Sequence, residues 1–169
     1  IIVPSVSSEN RIYVPMGLVY ENDIVSNAAM VIYDAPIWLL GILSSRMHMV
    51  WLRAIGGKLE TRYRYSASLV YNTFVVPEIS EQMKENLEEQ MGEILDKRDF
   101  LGGSLASLYD SPLAENNPKP MNEELLNLHK RLDRLVDSIY QIAEFKNDEE
   151  RLALLLNLYK KRIEELENE

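Results

Sequence analysis

The sequence predicts an α+β fold, in which a small mixed or antiparallel sheet with one packed helix precedes an all-α helical subdomain. Two observations predict this order. Short runs rich in β-branched and aromatic residues, several of them closed by proline, occupy residues 1–77. In residues 78–169, apolar residues recur at helical spacing, which predicts a second, helical domain. The 169 residues, 46% of them hydrophobic, are enough to bury a sizeable core.

The first domain is predicted to contain three short strands. Residues 11–15 and 29–33 are β-rich, with a turn at residues 21–23 between them, and residues 68–76 are again β-rich. Residues 58–64 are interpreted as a short exposed strand or loop.

One helix is predicted to connect these strands. Pro36 suits its first turn, and the apolar run that follows continues to Ile55. The pair Gly56-Gly57 is then expected to end it, as glycines do at helix C-termini.

The second domain is predicted to hold three long helices. Ser80 caps a helix to about residue 98, Asn122 caps the next, and Asn147 or Asp148 caps the last. Between them we expect a glycine break at residues 102–104, a helical turn at residues 105–109 and a loop at residues 111–120. The apolar stripes, expected to be buried against each other, are Met83, Leu87, Met91, Ile94 and Leu95; Leu125, Leu128, Leu132, Leu135, Val136, Ile139 and Ile142; and Leu152, Leu155, Leu156, Tyr159, Ile163 and Leu166.

Charge is distributed unevenly along the chain. The net charge is −9, which by itself argues against a nucleic-acid partner. Residues 76–169, however, hold 12 basic and 22 acidic side chains, whereas residues 1–75 hold six basic and five acidic ones. Five basic residues and one acidic residue fall in residues 46–64. The acidity therefore belongs to the helical half, and a basic patch lies upstream of it.

Several classes of site are excluded by composition. The chain has no cysteine, which excludes disulfides, a thiol nucleophile, thiolate zinc sites and iron–sulfur clusters, and fits a reducing cytoplasm. No glycine-rich phosphate loop follows a predicted strand, and no carboxylate pair suggests acid–base chemistry. We therefore predict no catalytic, cofactor-binding or metal-binding residue in this chain. The most apolar stretch, residues 28–43, is interrupted and too short to span a membrane.

Two further expectations concern the histidines and the amino terminus. His48 is expected to be a packed core residue, and His129 a surface or boundary residue. The sequence opens at Ile1, without Met or a basic apolar leader, so we interpret the chain as a piece of a longer protein.

One segment has the composition of a nucleic-acid contact. Residues 58–66 read KLETRYRYS, which mixes cations, aromatic rings, hydroxyls and one carboxylate. If the segment is extended, alternation sets Lys58, Glu60, Arg62 and Arg64 on one face and the apolar and aromatic side chains on the other. Such cations suit phosphates and guanine edges, and a carboxylate suits the cytosine amino group. The alternative is a sheet edge that charges protect from aggregation, and these residues alone do not decide between the two.

Several blocks of the sequence match a known family in order. They are VP at residues 3–4, SENR at 8–11, VPMG at 14–17, GILSSRMHMVWLR at 41–53, GKLETRYRYS at 57–66, VYNTF at 70–74, SLASLYD at 104–110, HKRLD at 129–133, VDSIY at 136–140 and FKND at 145–148. Together they resemble the MmeI-like (type IIG/IIL) restriction–modification enzymes over nearly the whole chain. One departure is VVP at residues 75–77, where the family more often has proline and an aromatic residue.

The resemblance implies the organisation of a longer enzyme. In that family an S-adenosylmethionine-dependent DNA adenine-N6 methyltransferase, often with an N-terminal nuclease that would use Mg²⁺, precedes a target-recognition domain and a C-terminal helical domain. Residues 1–77 then correspond to the later part of the recognition domain and residues 78–169 to the helical domain. The implied partners are double-stranded DNA and the methyltransferase part of the same chain, with no membrane, and the chain alone is expected not to be catalytic. The alternatives are a protein-interaction scaffold and a fragment of a type I-like specificity subunit.

The resemblance also implies roles for individual residues. At the place of Glu60 and Arg62 the family varies between Glu-x-Arg and Lys-x-Asp, and the choice is associated with one base pair of the target. Glu60 and Arg62 are therefore the expected base-reading pair. The further expected DNA contacts are Lys58, Arg64, Tyr65, Ser66 and Arg46.

Overall fold

A computed structural model describes residues 1–109, 121–141 and 143–168. The predicted loop at residues 111–120 and Ile142 of the second apolar stripe lie outside these ranges. The α+β class is confirmed. In chain order the elements are β1 (Ile2–Pro4), β2 (Val6–Ser7), β3 (Ala29–Val31), α1 (Ile37–Leu43), α2 (Arg46–Ile55), β4 (Gly57–Leu59), β5 (Arg62–Arg64), a π-helical turn (Ala67–Tyr71), α3 (Glu81–Leu101), α4 (Leu105–Leu108), α5 (Glu123–Tyr140) and α6 (Asp148–Glu167).

The strands form two small antiparallel sheets. β1 pairs with β3, and a second sheet has the order β2-β5-β4. Ser5, which lies between β1 and β2, joins the two sheets. Its backbone N–H donates to the Ala28 carbonyl at 2.9 Å, and its carbonyl accepts from the Tyr65 N–H at 2.9 Å.

Two strand predictions are wrong. Residues 11–15 form an irregular segment, although Tyr13 and Val14 in it are buried. The β-rich composition of this segment therefore indicated burial in the core and not pairing in a sheet. Residues 68–76 hold the π-helical turn instead of a strand. The Ser66 side chain caps this turn by accepting from the Leu69 N–H, and the Thr73 hydroxyl donates to the Leu69 carbonyl at 2.6 Å. These hydroxyls satisfy backbone groups locally, which a sheet would otherwise have to pair.

The predicted helix from Pro36 to Ile55 is two helices. Pro36 is the N-cap of α1, and the chain breaks at Ser44-Ser45 before α2 begins. The Ser45 hydroxyl donates to the Ile42 carbonyl at 2.7 Å and accepts from the His48 N–H. The Ser45 side chain at this junction thus replaces backbone bonds that a continuous helix would make.

The long helices of the second half begin where the sequence predicts. The side chains of Ser80, Asn122 and Asn147 each accept hydrogen bonds from backbone N–H groups in the first turn that follows. The first helix, α3, extends three residues beyond the predicted end to Leu101, where Gly102 with φ +65° ends it.

One hydrophobic core unites the two halves of the chain. α1 packs against α3 and α5, and these helices bury Leu40 and Ile42; Leu87, Met91 and Ile94; and Leu125, Leu132 and Val136. The predicted burial of the α3 and α5 stripes is therefore confirmed at these residues, with α1 completing the layer. α6 instead packs on α2. Its stripe is buried at Leu155, but Leu156, Ile163 and Leu166 are exposed, so the prediction is wrong for those three.

Buried polar groups cross this core. The Tyr13 hydroxyl donates to Asp133 Oδ2 at 2.6 Å, and Asp133 Oδ1 accepts from the backbone N–H of Arg46 at 2.7 Å. Asp133 thereby links α5 to both the segment that carries Tyr13 and the first residue of α2. Burial raises the pKa of Asp133 to about 6.

His129 is buried rather than at the surface, contrary to the prediction. Its ring stacks on Tyr13 with centroids 4.3 Å apart, and its Nε2 is 2.6 Å from the Tyr109 hydroxyl. Arg98, also buried, donates to that hydroxyl and to the Met16 carbonyl at 2.9 Å. His129 lies next to the apolar stripe of α5. Its ring can be buried because the Tyr109 hydroxyl provides a hydrogen-bond partner for Nε2 in the core.

Two glycines provide a matched test of packing. A Cβ at Gly56 would lie 2.5 Å from the Leu52 carbonyl oxygen and 2.7 Å from Leu52 Cδ1, whereas one at Gly92 would meet nothing within 4 Å. We expect Gly56→Ala to destabilise the fold by about 1–3 kcal/mol, because backbone has to move. Gly92→Ala, inside α3, should stabilise it by about 0.5–1 kcal/mol through helix propensity. Urea unfolding measures both; equal effects of the two substitutions would contradict this packing.

The buried histidines predict a pH dependence of stability. Burial lowers the pKa of His48 to about 3 from its ordinary 6.5, so between these values the unfolded chain binds more protons than the folded one. The contribution of neutral His48 is full above pH 6.5 and is lost as the pH falls through this window. In urea unfolding from pH 7 to 5, His48→Gln should therefore show a shallower fall than wild type, by up to about 1.4 kcal/mol per pH unit. Parallel pH profiles would contradict the buried neutral state.

Candidate nucleic-acid interface

The KLETRYRYS segment forms a β-hairpin rather than one extended strand. β4 and β5 pair with Gly57 opposite Arg64, Lys58 opposite Tyr63 and Leu59 opposite Arg62. Glu60 and Thr61 form the two-residue turn between them. The hairpin follows α2 immediately, because Gly56 ends α2 and donates its N–H to the Leu52 carbonyl at 2.8 Å.

This turn changes which side chains share a face. Opposite residues of an antiparallel pair point to the same side of the sheet. Lys58 therefore shares the face of Tyr63, and its ammonium lies 3.8 Å from the centre of that ring. The prediction that alternation sets Lys58 on the face of Arg62 and Arg64 is wrong, since the turn between the strands resets the alternation.

Glu60 and Arg62 do come together, at the tip of the hairpin. Arg62 Nη2 donates to Glu60 Oε2 at 2.9 Å, while 47% of the Arg62 side chain and 76% of the Glu60 side chain remain exposed. An exposed ion pair of this kind contributes little to stability. Its significance is geometric, because it holds an acceptor and a donor next to each other on an open surface.

The backbone of Glu60 is strained. Its φ of +57° lies in the left-handed region, where glycine or asparagine is the usual occupant. A non-glycine residue held there costs about 1–3 kcal/mol, and such residues cluster at functional sites. A charged side chain at this exposed turn position therefore points to a role outside folding.

The other expected contacts differ in availability. Arg64 is exposed on the face of Arg62 and makes no ion pair within the described ranges. Ser66 is half-buried, caps the π-helical turn and lies 3.0 Å from the Ser68 hydroxyl. Tyr65 is buried, and its hydroxyl is 2.7 Å from Nε2 of His48, which confirms His48 as a packed core histidine.

Arg46 lies away from the hairpin, at the beginning of α2. Its Nε and Nη2 donate to the two carboxylate oxygens of Asp148 at 2.8 and 3.0 Å. Arg53 and Arg151 approach the same carboxylate at 3.4 Å each. Three guanidinium groups thus converge on the first residue of α6, and this cluster joins α6 to α2.

Sequence reasoning missed Glu9 and Thr61. Glu9 follows β2, which pairs with β5, and Thr61 is the second residue of the hairpin turn. The Thr61 side chain lowers the pKa of the Glu9 carboxylate most, and the charges of Lys58 and Arg62 lower it further. The signal that brings the end of β2 near the hairpin is the pairing of β2 with β5, which the sequence alone did not predict.

No metal centre accompanies this interface in the part of the chain that the structure describes, since no three acidic, histidine or cysteine side chains group there. Among the described helices, none is both long enough and apolar enough to cross a membrane.

Comparison with known protein families shows to which family this chain belongs. Residues 1–78 match the MmeI target recognition domain, and residues 79–167 match the MmeI C-terminal domain. The chain belongs to the MmeI family. The hairpin with Glu60 and Arg62 falls inside the target-recognition match, and α3, α5 and α6 fall inside the C-terminal one.

Two relatives support membership of the MmeI family. DNA methyltransferase A of Bacillus subtilis (strain 168) is 53% identical over 164 residues, which cover 97% of this chain and 18% of that protein. The solved structure of the type IIL restriction–modification enzyme MmeI in complex with DNA matches with a TM-score of 0.85 and 43% identity, over 95% of this chain and 21% of that one. The chain thus spans about a fifth of the length of each relative.

The position of Tyr65 in this MmeI-family fold predicts a structural role. We expect Tyr65→Phe to lower the free energy of unfolding by about 1–3 kcal/mol, because it removes the partner of buried His48 Nε2 and keeps the ring. Thermal or urea unfolding measures the change. Unaltered stability would show that the hydrogen bond does not contribute to the fold.

Proposed function

We propose that this chain is the DNA-recognition part of an S-adenosylmethionine-dependent DNA adenine-N6 methyltransferase, and that its hairpin reads one base pair of the target. The exposed Glu60–Arg62 pair is the observation that carries the proposal. The match of residues 1–78 to a target recognition domain and the likeness to an enzyme solved with DNA support it.

The pair has the chemistry of a C·G reader. In the major groove, cytosine presents its N4 amino group as a donor, and guanine presents O6 and N7 as acceptors. Glu60 would accept from the cytosine amino group, and Arg62 would donate to the paired guanine. Because Arg62 already donates to Glu60, acceptor and donor stand next to each other before DNA arrives. A preorganised pair loses less conformational entropy on binding.

Cations around the pair would contact the phosphate backbone. Arg64 and Lys58 are exposed on the same hairpin, and the Ser66 hydroxyl follows it. The acidic helical half would repel phosphates if it faced the duplex broadly, so we assign it to bracing the recognition domain. We assign no direct DNA contact to Tyr65 or Arg46, since the first is buried and the second is paired with Asp148.

The whole enzyme would supply the chemistry. S-adenosylmethionine would donate the methyl group in the methyltransferase part of the same chain, and Mg²⁺ would serve a nuclease if the enzyme carries one. Such an enzyme would act on cytoplasmic DNA. The described glycine pairs follow helices α2 and α3 rather than opening a phosphate loop after a strand, so we assign no residue here to the cofactor.

The sharpest test exchanges the two readers in the full-length enzyme that contains this chain. We expect Glu60→Lys combined with Arg62→Asp to change the methylated site from C to G at one position and to leave the other positions unchanged. The exchange reverses the order of donor and acceptor, and each good contact discriminates by about 1–3 kcal/mol. Sequencing of modified bases in DNA methylated by each enzyme measures the site.

The control is Arg131→Asp combined with Glu93→Lys, which exchanges an exposed ion pair between α5 and α3. That variant should keep the original site. An active reader exchange with the original specificity would show that this hairpin does not read the base, and salt-independent DNA binding would favour a scaffold instead.

A further inference from the structure

The small sheet of β1 and β3 has one edge without a strand partner. β1 lies between β3 and Gly17, since Ile2 and Gly17 exchange backbone hydrogen bonds at 2.9 and 3.2 Å. No strand within the described ranges pairs with the outer edge of β3. Two strands alone are marginally stable, and the open edges of native sheets are usually protected or covered.

Exposed apolar side chains surround this edge. Tyr33, two residues after β3, is 83% exposed, and Tyr20 and Ile24, in the segment before β3, are 74% and 99% exposed. Both tyrosines line a groove of about 690 Å³, together with Ile1 and Leu18. We call this surface, formed by residues 18–25 and 31–37 around Ile1, the β3 groove. Clustered apolar side chains of this exposure are typical of an interaction surface.

Charge limits what can cover the β3 groove. Residues 18–35 contain Glu21, Asp23 and Asp34 and no lysine or arginine. Phosphate groups would meet these carboxylates without a compensating cation in the same segment, so DNA is a poor occupant. A polypeptide with apolar side chains suits the exposed rings instead.

The pairing of Ile1 indicates which polypeptide reaches the β3 groove. Ile1 and Ile32 exchange backbone hydrogen bonds of 2.8 Å each, which continues the register of Ile2 with Val31 by one pair. In an antiparallel ladder, a residue that preceded Ile1 would come beside Tyr33. A polypeptide joined to Ile1 would therefore enter the groove directly.

The two relatives contain enough chain to provide such a polypeptide. The part that matches is 18% of DNA methyltransferase A and 21% of the MmeI chain, and its second half matches the C-terminal domain of the family. The greater part of such an enzyme would thus precede Ile1. A segment joined covalently to Ile1 has a high effective concentration at the groove, an advantage that a second copy of the enzyme lacks.

We propose that the β3 groove docks the polypeptide that precedes Ile1 in the full-length enzyme, and that this polypeptide covers Tyr20, Ile24 and Tyr33. The occupant is an apolar segment of the same chain, not DNA and not a second copy. The inference goes beyond base reading by the hairpin and does not depend on it.

The docked segment is connected to the hairpin by a short path. β1 pairs with β3 at the groove, and β2, which begins two residues after β1 ends, pairs with β5 of the hairpin. Ser5 between them is hydrogen-bonded to Ala28 on one side and to Tyr65 on the other. Docking at the groove therefore supports the hairpin from the side opposite to β4.

The first test places a photo-crosslinker in the full-length enzyme that contains this chain. p-Benzoylphenylalanine in place of Tyr33 keeps an aromatic ring at the groove, and on irradiation it should form adducts with residues that precede Ile1. Mass spectrometry of the cross-linked peptides locates the adducts. The same amino acid in place of Phe100, which is 81% exposed on α3, is the matched control and should not give these adducts. Adducts confined to residues 1–169, a cross-linked pair of enzyme copies, or adducts with added DNA would overturn the inference.

Thiol labelling provides an independent measurement, because this chain has no cysteine of its own. In the native full-length enzyme, Tyr33→Cys and Ile24→Cys should react about tenfold or more slowly than in the urea-unfolded enzyme, since the docked segment has to open first. Phe100→Cys should react at close to the unfolded rate, and peptide mass spectrometry identifies each label. Labelling of Tyr33→Cys and Ile24→Cys at the unfolded rate, in variants that retain the wild-type melting temperature, would contradict the docking.

Discussion

The position of helix α2 is the constraint on which the candidate interface depends. At its start, Asp133 accepts the backbone N–H of Arg46, and Asp148 pairs with the Arg46 side chain. At its end, the close approach of Gly56 to Leu52 allows the chain to leave directly into β4. The orientation of the hairpin therefore depends on α2, which Asp133 and Asp148 of the helical half hold in place. This is a physical reason for a recognition domain and a helical domain to share one core, because a reader has to be rigid to distinguish bases.

The basic patch of the sequence divides into two groups with different roles. Arg46 and Arg53, on α2, both form ion pairs with the Asp148 carboxylate. Lys58, Arg62 and Arg64, on the hairpin, remain exposed, and their partners are an aromatic ring, a neighbouring carboxylate and solvent. The acidity of the helical half is thus partly structural. It binds the arginines that hold the fold together and leaves the hairpin as the exposed cationic surface of the first half.

Local signals predicted the long helices of the second half well and the strands poorly. The caps at Ser80, Asn122 and Asn147 involve hydrogen bonds within one turn, so residue type and spacing suffice to find them. The strands are two or three residues long, and their pairing joins distant parts of the chain, as between Ser7 and Tyr63. No local pattern contains that register, which is why the faces of the hairpin were predicted wrongly. His129 was misplaced for the same reason, since Tyr13 and Tyr109 meet it from outside its own helix.

The location of the proposed reader pair, Glu60 and Arg62, would allow specificity to change without loss of the fold. Tyr63 and Tyr65 alternate with the exposed residues of the same segment and are buried, so substitutions there would disturb the core. Glu60 and Arg62 are bonded chiefly to each other, and their exchange for another charged pair leaves the packing beneath unchanged. The left-handed conformation of Glu60 is set by the two-residue turn rather than by its side chain, so a different residue at position 60 meets the same backbone. The hairpin thus separates the residues that specify the fold from those that would specify the DNA.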